Sequence, residues 1–147
     1  KPIDLIKTWK ESGYSIGFTN GCFDIIHPGH ISLLHCAKNE CDKLVVGLNS
    51  DSSVAKLKGK DRPIQKENAR ATVLLALKDV DAVIIFNEET PIKLIELIKP
   101  DVLIKGGDYK IDEIVGAEFI QQNGGRVVLS DYKKGHSTSD IIKKIES

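Results

Sequence analysis

The sequence predicts an open, doubly wound α/β fold, in which helices cover both faces of a parallel sheet within a single domain. Three observations predict it: short apolar runs rich in Val and Ile, helical patterns between those runs, and alternation of the two through nearly the whole chain. The runs have the length and composition of strands that are buried on both faces of a parallel sheet. They lie at 15–19, 43–48, 82–86, 102–105 and 126–130.

The segments between these strands carry apolar residues at helical spacing. Thr90 and Pro91 are typical of a helix start, with a hydroxyl at the N-cap and a proline at the first helical position. Gly124 and Gly125 are a plausible helix stop. The polar stretch 56–65 is the one long connection, and a connection of that length is often functional. The predicted helices lie at 1–13, 30–39, 67–78, 91–98 and 116–123, with a last one opening near residue 137.

Composition excludes several classes of protein. The 147 residues suit one domain, and 21 basic against 21 acidic residues give zero net charge, which excludes a protein that lives mainly on nucleic acid. The sequence shows neither an apolar stretch of the roughly 18–20 residues that a membrane span needs nor a secretory signal.

The three cysteines, Cys22, Cys36 and Cys41, form no Cys-x-x-Cys pair. This argues against a disulfide scaffold or structural zinc and favours the reducing cytoplasm. The chain opens on Lys rather than Met, as expected of a piece of a longer polypeptide.

Unusual residues cluster directly after the predicted strands. The segments are 19–30, 49–53, 105–109 and 135–140, the last of which opens the final helix. The carboxyl ends of parallel strands share one edge of the sheet, where open α/β folds bind their ligands. The sequence therefore predicts one ligand site built from several loops at this edge.

The first of these segments contains His27-Pro28-Gly29-His30. Pro28 suits the first helical position, so both histidines would lie at a helix N-terminus, where free N–H groups attract anions. Gly29 lets a phosphate approach the backbone, and two imidazoles could donate to phosphoryl oxygens. The alternatives are two surface histidines that cap a helix, or a metal pair. A zinc site with His35 and Cys36 is disfavoured because a helix would turn those side chains away from His27.

Three further segments could bind phosphate or nucleotide. Ser137, Thr138 and Ser139 could bind an anion at the start of the last helix or merely cap it, with Lys133, Lys134 and His136 just upstream. The cations of the polar connection (Lys56, Lys58, Lys60 and Arg62) suit either a solvated loop or a flap that closes on a polyphosphate. The turn 106–109 suits either close approach to a flat ring or ribose, or an ordinary tight turn.

Arg70 follows Glu67 by three residues on a predicted helix and could pair with it or bind phosphate. The chain has no Walker A lysine motif, and no Gly-x-Gly-x-x-Gly follows the first strand. These absences disfavour a P-loop NTPase and an NAD-binding domain.

Taken together, these motifs resemble those of a known family. TNGCFDIIHPGH (19–30) resembles the phosphate-binding motif of the nucleotidyltransferases that carry His-x-Gly-His, and STSDII resembles their second phosphate motif. NSD, the ENARATVL helix and KGGDY complete the pattern in the expected order, over residues 15–145. Within that superfamily, LKGKDRP, IKGGDY and STSDIIKKI look most like the heptose 1-phosphate adenylyltransferases, which make ADP-heptose for bacterial lipopolysaccharide. In many bacteria that module is fused to a sugar kinase.

This resemblance implies a Rossmann-like fold, a cytoplasmic homodimer, a Mg²⁺–ATP cosubstrate and a sugar 1-phosphate acceptor. His27, His30 and Lys58 would be catalytic, and Asp24, Asn49 and Asp51 would bind the acceptor. Asp24 is also the one protein side chain proposed to reach Mg²⁺. The implied nucleotide-binding residues are Asn20, Gly21, Cys22, Phe23, Gly29, Arg70, Gly106, Asp108, Tyr109, Ser137, Thr138 and Ser139.

Relatives often carry an arginine ahead of the second phosphate motif, where this chain has Lys133-Lys134-Gly135-His136. The identity of the cation at that spot is therefore open, because lysine lacks the planar two-pronged contact of arginine. Three other functions are considered: a cytidylyltransferase that uses CTP and glycerol 3-phosphate, a nucleotide sensor without turnover, and a metal-binding regulatory domain built on His27, His30 and Cys36.

Overall fold

A computed structural model describes residues 1–107 and 109–130. Its five strands are β1 (Ile16–Gly21), β2 (Lys43–Asn49), β3 (Ala82–Phe86), β4 (Val102–Gly106) and β5 (Arg126–Ser130). Its helices are α1 (Pro2–Glu11), α2 (Pro28–Asn39), α3 (Asp51–Lys58), α4 (Glu67–Ala76), α5 (Ile92–Ile98) and α6 (Ala117–Gln122), with a single 3₁₀ turn at Ile111–Glu113. Among the described residues, no helix is both long and apolar enough to cross a membrane.

The strands form one parallel sheet in the order β3-β2-β1-β4-β5. The chain moves outward from β1 to β3 and then returns to the other side of β1 to place β4, so the strand order reverses between β1 and β4. Ligands of open α/β sheets bind at such a switch point. The β1–β4 pairing ends at Phe18 and Leu103, three residues before either strand ends. The carboxyl ends of β1 and β4 therefore part and leave a cleft.

Two apolar layers cover the two faces of the sheet. On one face, α1, α5 and α6 bury Ile6, Ile95 and Ile120 against strand residues that include Phe18 and Leu103. On the other face, α2 and α4 bury residues such as Leu34 and Leu74 against the alternate strand positions. Because the strands are apolar on both sides, each face needs its own helices, and the predicted doubly wound fold is confirmed.

Two local predictions were wrong. The stretch 56–65 is not one loop, because α3 occupies it as far as Lys58. Ser50 is the N-cap of that helix, and its hydroxyl accepts from the Ser53 N–H at 3.2 Å. Further along, α5 begins at Ile92 with Pro91 at the N-cap and no side-chain cap, so the predicted Thr90 cap is not made. The predictions for Asp108, for Lys133, Lys134 and His136, for Ser137, Thr138 and Ser139 and for the last helix lie outside the described residues.

Candidate active site

The cleft between β1 and β4 holds a cavity of about 550 Å³, referred to below as the histidine cavity. It lies between the end of β1, the start of α2 and the turn after β4. Gly107 has a φ of +101°, which glycine adopts without a steric penalty, and its N–H donates to the Ser130 carbonyl at 3.1 Å. The predicted residues that the structure brings together around this cavity are Asn20, Gly21, Cys22, Phe23, His27, Gly29, His30, Gly106 and Tyr109.

His27 and His30 cap α2 reciprocally. The Gly29 N–H donates to His27 Nδ1 at 3.1 Å, and the His27 N–H donates to His30 Nδ1 at 3.3 Å. The two rings stack with centroids 3.7 Å apart. Because each Nδ1 accepts a hydrogen bond, a neutral ring carries its proton on Nε2. Both histidines line the cavity beside the N-terminus of α2, where backbone N–H groups favour an anion.

Phe23 packs against the ring of His30. Its φ of +46° lies in the left-handed region, which a non-glycine residue enters at a steric cost. The buried ring lies 4.9 Å from the His30 ring, centroid to centroid. The turn between β1 and α2 therefore uses Phe23 to fix the His30 side chain.

The surroundings of His30 keep its imidazole neutral. Burial, together with positive charge at His27 and Lys58, lowers the pKa of His30 from 6.5 to about 4, and a backbone hydrogen bond with Ile25 partly opposes this shift. At neutral pH the ring is therefore an uncharged hydrogen-bond donor rather than an imidazolium. A bound polyanion would favour the protonated form, so we expect ligand binding to raise this pKa.

This shift predicts how stability depends on pH. As the pH falls from 6.5 to 4, the unfolded chain protonates this histidine and the folded chain does not, so the free energy of unfolding falls by on the order of 3 kcal/mol. His30→Gln keeps a capping-box residue at this position but removes the titration. Urea unfolding at pH 7.5 and 4.5 should show that the wild type loses more stability than this variant. Equal losses in the two proteins would contradict the assignment.

A second cavity of about 520 Å³ adjoins the first, referred to below as the acid-lined cavity. It extends from the shared wall toward α3 and the loop before α5. Of the predicted residues, Lys58 and Asn49 line it, and so do two carboxylates that the sequence did not single out, Glu89 and Glu113. The wall that the two cavities share is formed by Asn20, Gly21, Cys22, Lys105 and Tyr109.

Asp24 holds the connection between α3 and α4. Its buried carboxylate accepts from Arg62 Nε at 3.0 Å, from the Ile64 N–H at 2.8 Å and from the Gln65 N–H at 2.9 Å. Burial alone would raise the pKa of Asp24, but these hydrogen bonds outweigh it and hold the pKa below its usual value. These contacts assign Asp24 a positioning role. Its predicted role toward the acceptor or Mg²⁺ stays a prediction, although the carboxylate already accepts from protein donors.

Arg70 is fully buried and joins three loops. Its guanidinium donates to the carbonyls of Cys22, Asn49 and Gln65 at 2.7–2.9 Å and to Asp51 Oδ1 at 2.8 Å. The predicted pair with Glu67 is not formed, since Glu67 Oε1 instead accepts from the Asp51 N–H at 2.9 Å. The predicted role of Arg70 as a nucleotide ligand stays a prediction, although its donors face protein acceptors. It holds in place the chain that lines both cavities.

Asn49 and Asp51, predicted to bind the acceptor, both have protein partners. Asn49 is buried and donates from Nδ2 to the Ser53 hydroxyl at 2.9 Å, although it also lines the acid-lined cavity. Asp51 pairs with Arg70. Their acceptor-binding roles stay predictions.

Lys105 lines both cavities and was missed by the sequence analysis. It is half-buried near the end of β4, and its Nζ lies 5.3 Å from the centroid of the Tyr109 ring. Burial lowers the pKa of Lys105, which the neighbouring Cys22 partly offsets. Lys105 is the first residue of the KGGDY segment, but the sequence alone did not show that this lysine reaches the cleft.

The fold and the cleft together define an α/β domain of the nucleotide-binding class. The chain belongs to the cytidylyltransferase-like family, which matches residues 18–144. This membership confirms the predicted nucleotidyltransferase. The bifunctional protein HldE of Mesorhizobium japonicum is 56% identical over 143 residues, which cover 97% of this chain and 29% of that protein. HldE of Caulobacter vibrioides is 52% identical over 143 residues, again 97% of this chain and 30% of that protein. The chain thus spans less than a third of these relatives.

Two solved structures are also similar. The lipopolysaccharide core biosynthesis protein of Thermoplasma volcanium is 35% identical with a TM-score of 0.70, and the match covers 83% of this chain and all of that one. A pantoate–β-alanine ligase of Francisella tularensis, complexed with β,γ-ATP and β-alanine, is 19% identical with a TM-score of 0.65, and the match covers 98% of this chain and 71% of that one. The second shares the fold alone.

Proposed function

We propose that this domain transfers the adenylyl group of ATP to a sugar 1-phosphate, heptose 1-phosphate, and releases pyrophosphate. The product would be ADP-heptose for lipopolysaccharide core synthesis. One observation carries the proposal: two cavities meet at a shared wall at the switch point of the sheet. This arrangement suits a reaction that joins two phosphorylated substrates. The relatives named bifunctional protein HldE and lipopolysaccharide core biosynthesis protein support this choice of acceptor.

The histidine cavity suits the triphosphate. The His27 and His30 side chains would donate to the β- and γ-phosphate oxygens, next to the backbone N–H groups that open α2. Tyr109 and the backbone of Gly106 would hold the base and ribose. The predicted contributions of Asp108, Ser137, Thr138 and Ser139 belong to the same proposal.

The acid-lined cavity suits a phosphorylated sugar. Lys58 offers a cation for the phosphate, while Glu89 and Glu113 offer acceptors for sugar hydroxyl groups. Polar side chains placed in a cavity of this size orient small ligands. Because the cavity offers two carboxylates beside one lysine, it favours an acceptor with several hydroxyl groups over a simple alcohol phosphate.

The chemistry needs alignment more than proton transfer. An oxygen of the sugar phosphate, already an anion at neutral pH, attacks the α-phosphorus while the bond from that phosphorus to the β-phosphate oxygen breaks. The electron pair leaves with pyrophosphate, and no general base is required. The side chains lower the barrier by placing the two substrates in line and by donating to oxygens on which charge builds.

Magnesium enters this proposal as part of the substrate. Among residues 1–107 and 109–130, no group of three His, Cys, Asp or Glu side chains is placed to hold a metal ion, and Asp24 is occupied by protein donors. Mg²⁺ is commonly held by substrate phosphates with one or two protein ligands and several waters. The described residues fit an ion that arrives with ATP, whose charge it would partly neutralise.

The proposal extends to assembly and location. A chain that matches under a third of a bifunctional relative fits a domain that works with, or is fused to, a heptose kinase. We further propose a homodimer that acts in the cytoplasm, where its ATP is made.

A pyrophosphate-release assay that crosses ATP and CTP with heptose 1-phosphate, glucose 1-phosphate and glycerol 3-phosphate tests the proposal. We expect the highest kcat/KM for ATP with heptose 1-phosphate. A preference for CTP and glycerol 3-phosphate would instead support a cytidylyltransferase, a function that the family's description also suits. Failure of every pair to release pyrophosphate would contradict both functions and leave a sensor.

A further inference from the structure

The wall shared by the two cavities contains one basic side chain, Lys105. Of its five residues, Asn20, Gly21 and Tyr109 are neutral, and burial raises the pKa of the Cys22 thiol, which stays protonated. Lys105 alone brings a positive charge to the boundary. The other lysine that lines these cavities among the described residues, Lys58, lines only the acid-lined cavity.

The Lys105 ammonium lies in this boundary and not beyond it. Its Nζ is 5.3 Å from the Tyr109 ring centroid, and Cys22 is close enough to raise the pKa of Lys105. Tyr109 and Cys22 both belong to the shared wall. The charge is therefore placed where the contents of the two cavities would meet.

Within the part of the chain that the structure describes, Lys105 forms no ion pair. Lys38 shows the contrast, because its ammonium lies 2.7 Å from the Asp81 carboxylate. A half-buried charge loses hydration, and a single cation–π contact returns only part of that loss. An anionic group of a ligand in the cleft would complete the shell of donors and acceptors around this ammonium.

We propose that Lys105 is a catalytic residue that contacts the transferred α-phosphoryl group. This inference rests on the proposed function. The α-phosphorus must stand between the triphosphate in one cavity and the acceptor phosphate in the other, at the shared wall. As the new oxygen–phosphorus bond forms and the bond to pyrophosphate breaks, the ammonium donates to the non-bridging α-oxygens. Lys105 keeps its proton throughout, and pyrophosphate takes the electron pair.

The arrangement divides the work among three cationic or donor groups. His27 and His30 serve the leaving pyrophosphate, Lys58 serves the acceptor, and Lys105 serves the group that moves between them. The Lys105 contact strengthens as charge builds on the transferred group. Removing it should therefore lower kcat more than it weakens either substrate's binding.

The test compares Lys105→Gln and Lys105→Arg with a matched control, Lys93→Gln, an exposed lysine on α5 outside both cavities. We expect Lys105→Gln to lower kcat roughly 100- to 1000-fold while both KM values stay within about threefold, and Lys105→Arg to restore part of the loss. Lys93→Gln should retain wild-type kinetics. Urea unfolding of each variant shows whether the fold is kept, and Lys105→Met, which keeps the apolar stem against Tyr109, replaces the Gln variant if that one unfolds.

The outcomes separate this inference from the proposed function. If the wild type makes nucleotide sugar and a folded Lys105→Gln or Lys105→Met variant keeps kcat within about tenfold, the catalytic role is wrong and the proposed function stands. A loss confined to KM would also overturn it, because that pattern marks a binding contact alone. If the wild type releases no pyrophosphate with any nucleotide and acceptor, the proposed function fails and this inference fails with it.

Discussion

Replacing His30 by alanine is expected to lower turnover roughly 100- to 1000-fold, the scale of losing one preorganised donor to developing charge. The reason is geometric. His30 is neutral, its Nδ1 accepts from the His27 N–H, and its ring lines the cavity assigned to the triphosphate. Pyrophosphate release under saturating substrates measures the effect, since kcat reports the chemical step once both cavities are filled.

Two variants separate catalysis from capping. His30→Ala also removes a cap from α2, which costs about 1 kcal/mol of stability, whereas His30→Gln retains a capping residue at that position. Both should lose turnover to a similar extent. His35→Ala is the matched control, because that side chain is 59% exposed on the same helix and pairs with Asp79. A His30→Gln enzyme with near-wild-type turnover would show that the imidazole has no catalytic role.

Replacing Arg70 by methionine is expected to lower the free energy of unfolding by about 3–5 kcal/mol, as when one member of a buried ion pair is removed. The change leaves the Cys22, Asn49 and Gln65 carbonyls without their donor and leaves the Asp51 carboxylate without its partner. Unfolding in urea, followed by circular dichroism, measures the loss. A loss of this size is a large fraction of the total stability of a domain, about 5–15 kcal/mol.

Arg126→Met provides the comparison. Arg126 also pairs with a carboxylate, Glu40 at 2.6 Å, but its side chain is 56% exposed. Exposed ion pairs contribute about 0–1 kcal/mol, so the same change of residue type should be nearly silent there. Similar losses at both positions would mean that Arg70 is not the junction of the three loops.

The sequence was sufficient for the architecture. Strands that are apolar on both sides require helices on both faces, and this pattern is local and strong enough to read without coordinates. The start of α2 was also predictable, because Pro28 fixes the first helical position and leaves His27 at the cap. Because the carboxyl ends of parallel strands lie at the same edge of the sheet, the predicted histidines and glycines line one cavity.

The other features of the site depended on the direction of individual side chains, which the spacing of residues in the sequence does not encode. Arg70 shares its helix with Glu67 at a spacing that suits a surface pair, yet its guanidinium is buried among carbonyls of three other segments. Asp24 belongs to a motif segment but turns toward the backbone at Ile64 and Gln65. Helix α3 was missed because it is short and polar, and only its Ser50 cap marked it. Lys105 needed the parting of β1 and β4 to reveal its place between two cavities.

A crystal structure of the protein with a non-hydrolysable Mg²⁺–ATP analogue and heptose 1-phosphate would test the site most directly. We expect the β- and γ-phosphate oxygens within hydrogen-bond distance of His27 and His30 Nε2, and the sugar in the cavity lined by Lys58, Glu89 and Glu113. The α-phosphate should then lie at the wall that the two cavities share. A triphosphate bound elsewhere, with both imidazoles far from any phosphorus atom, would contradict the proposed site.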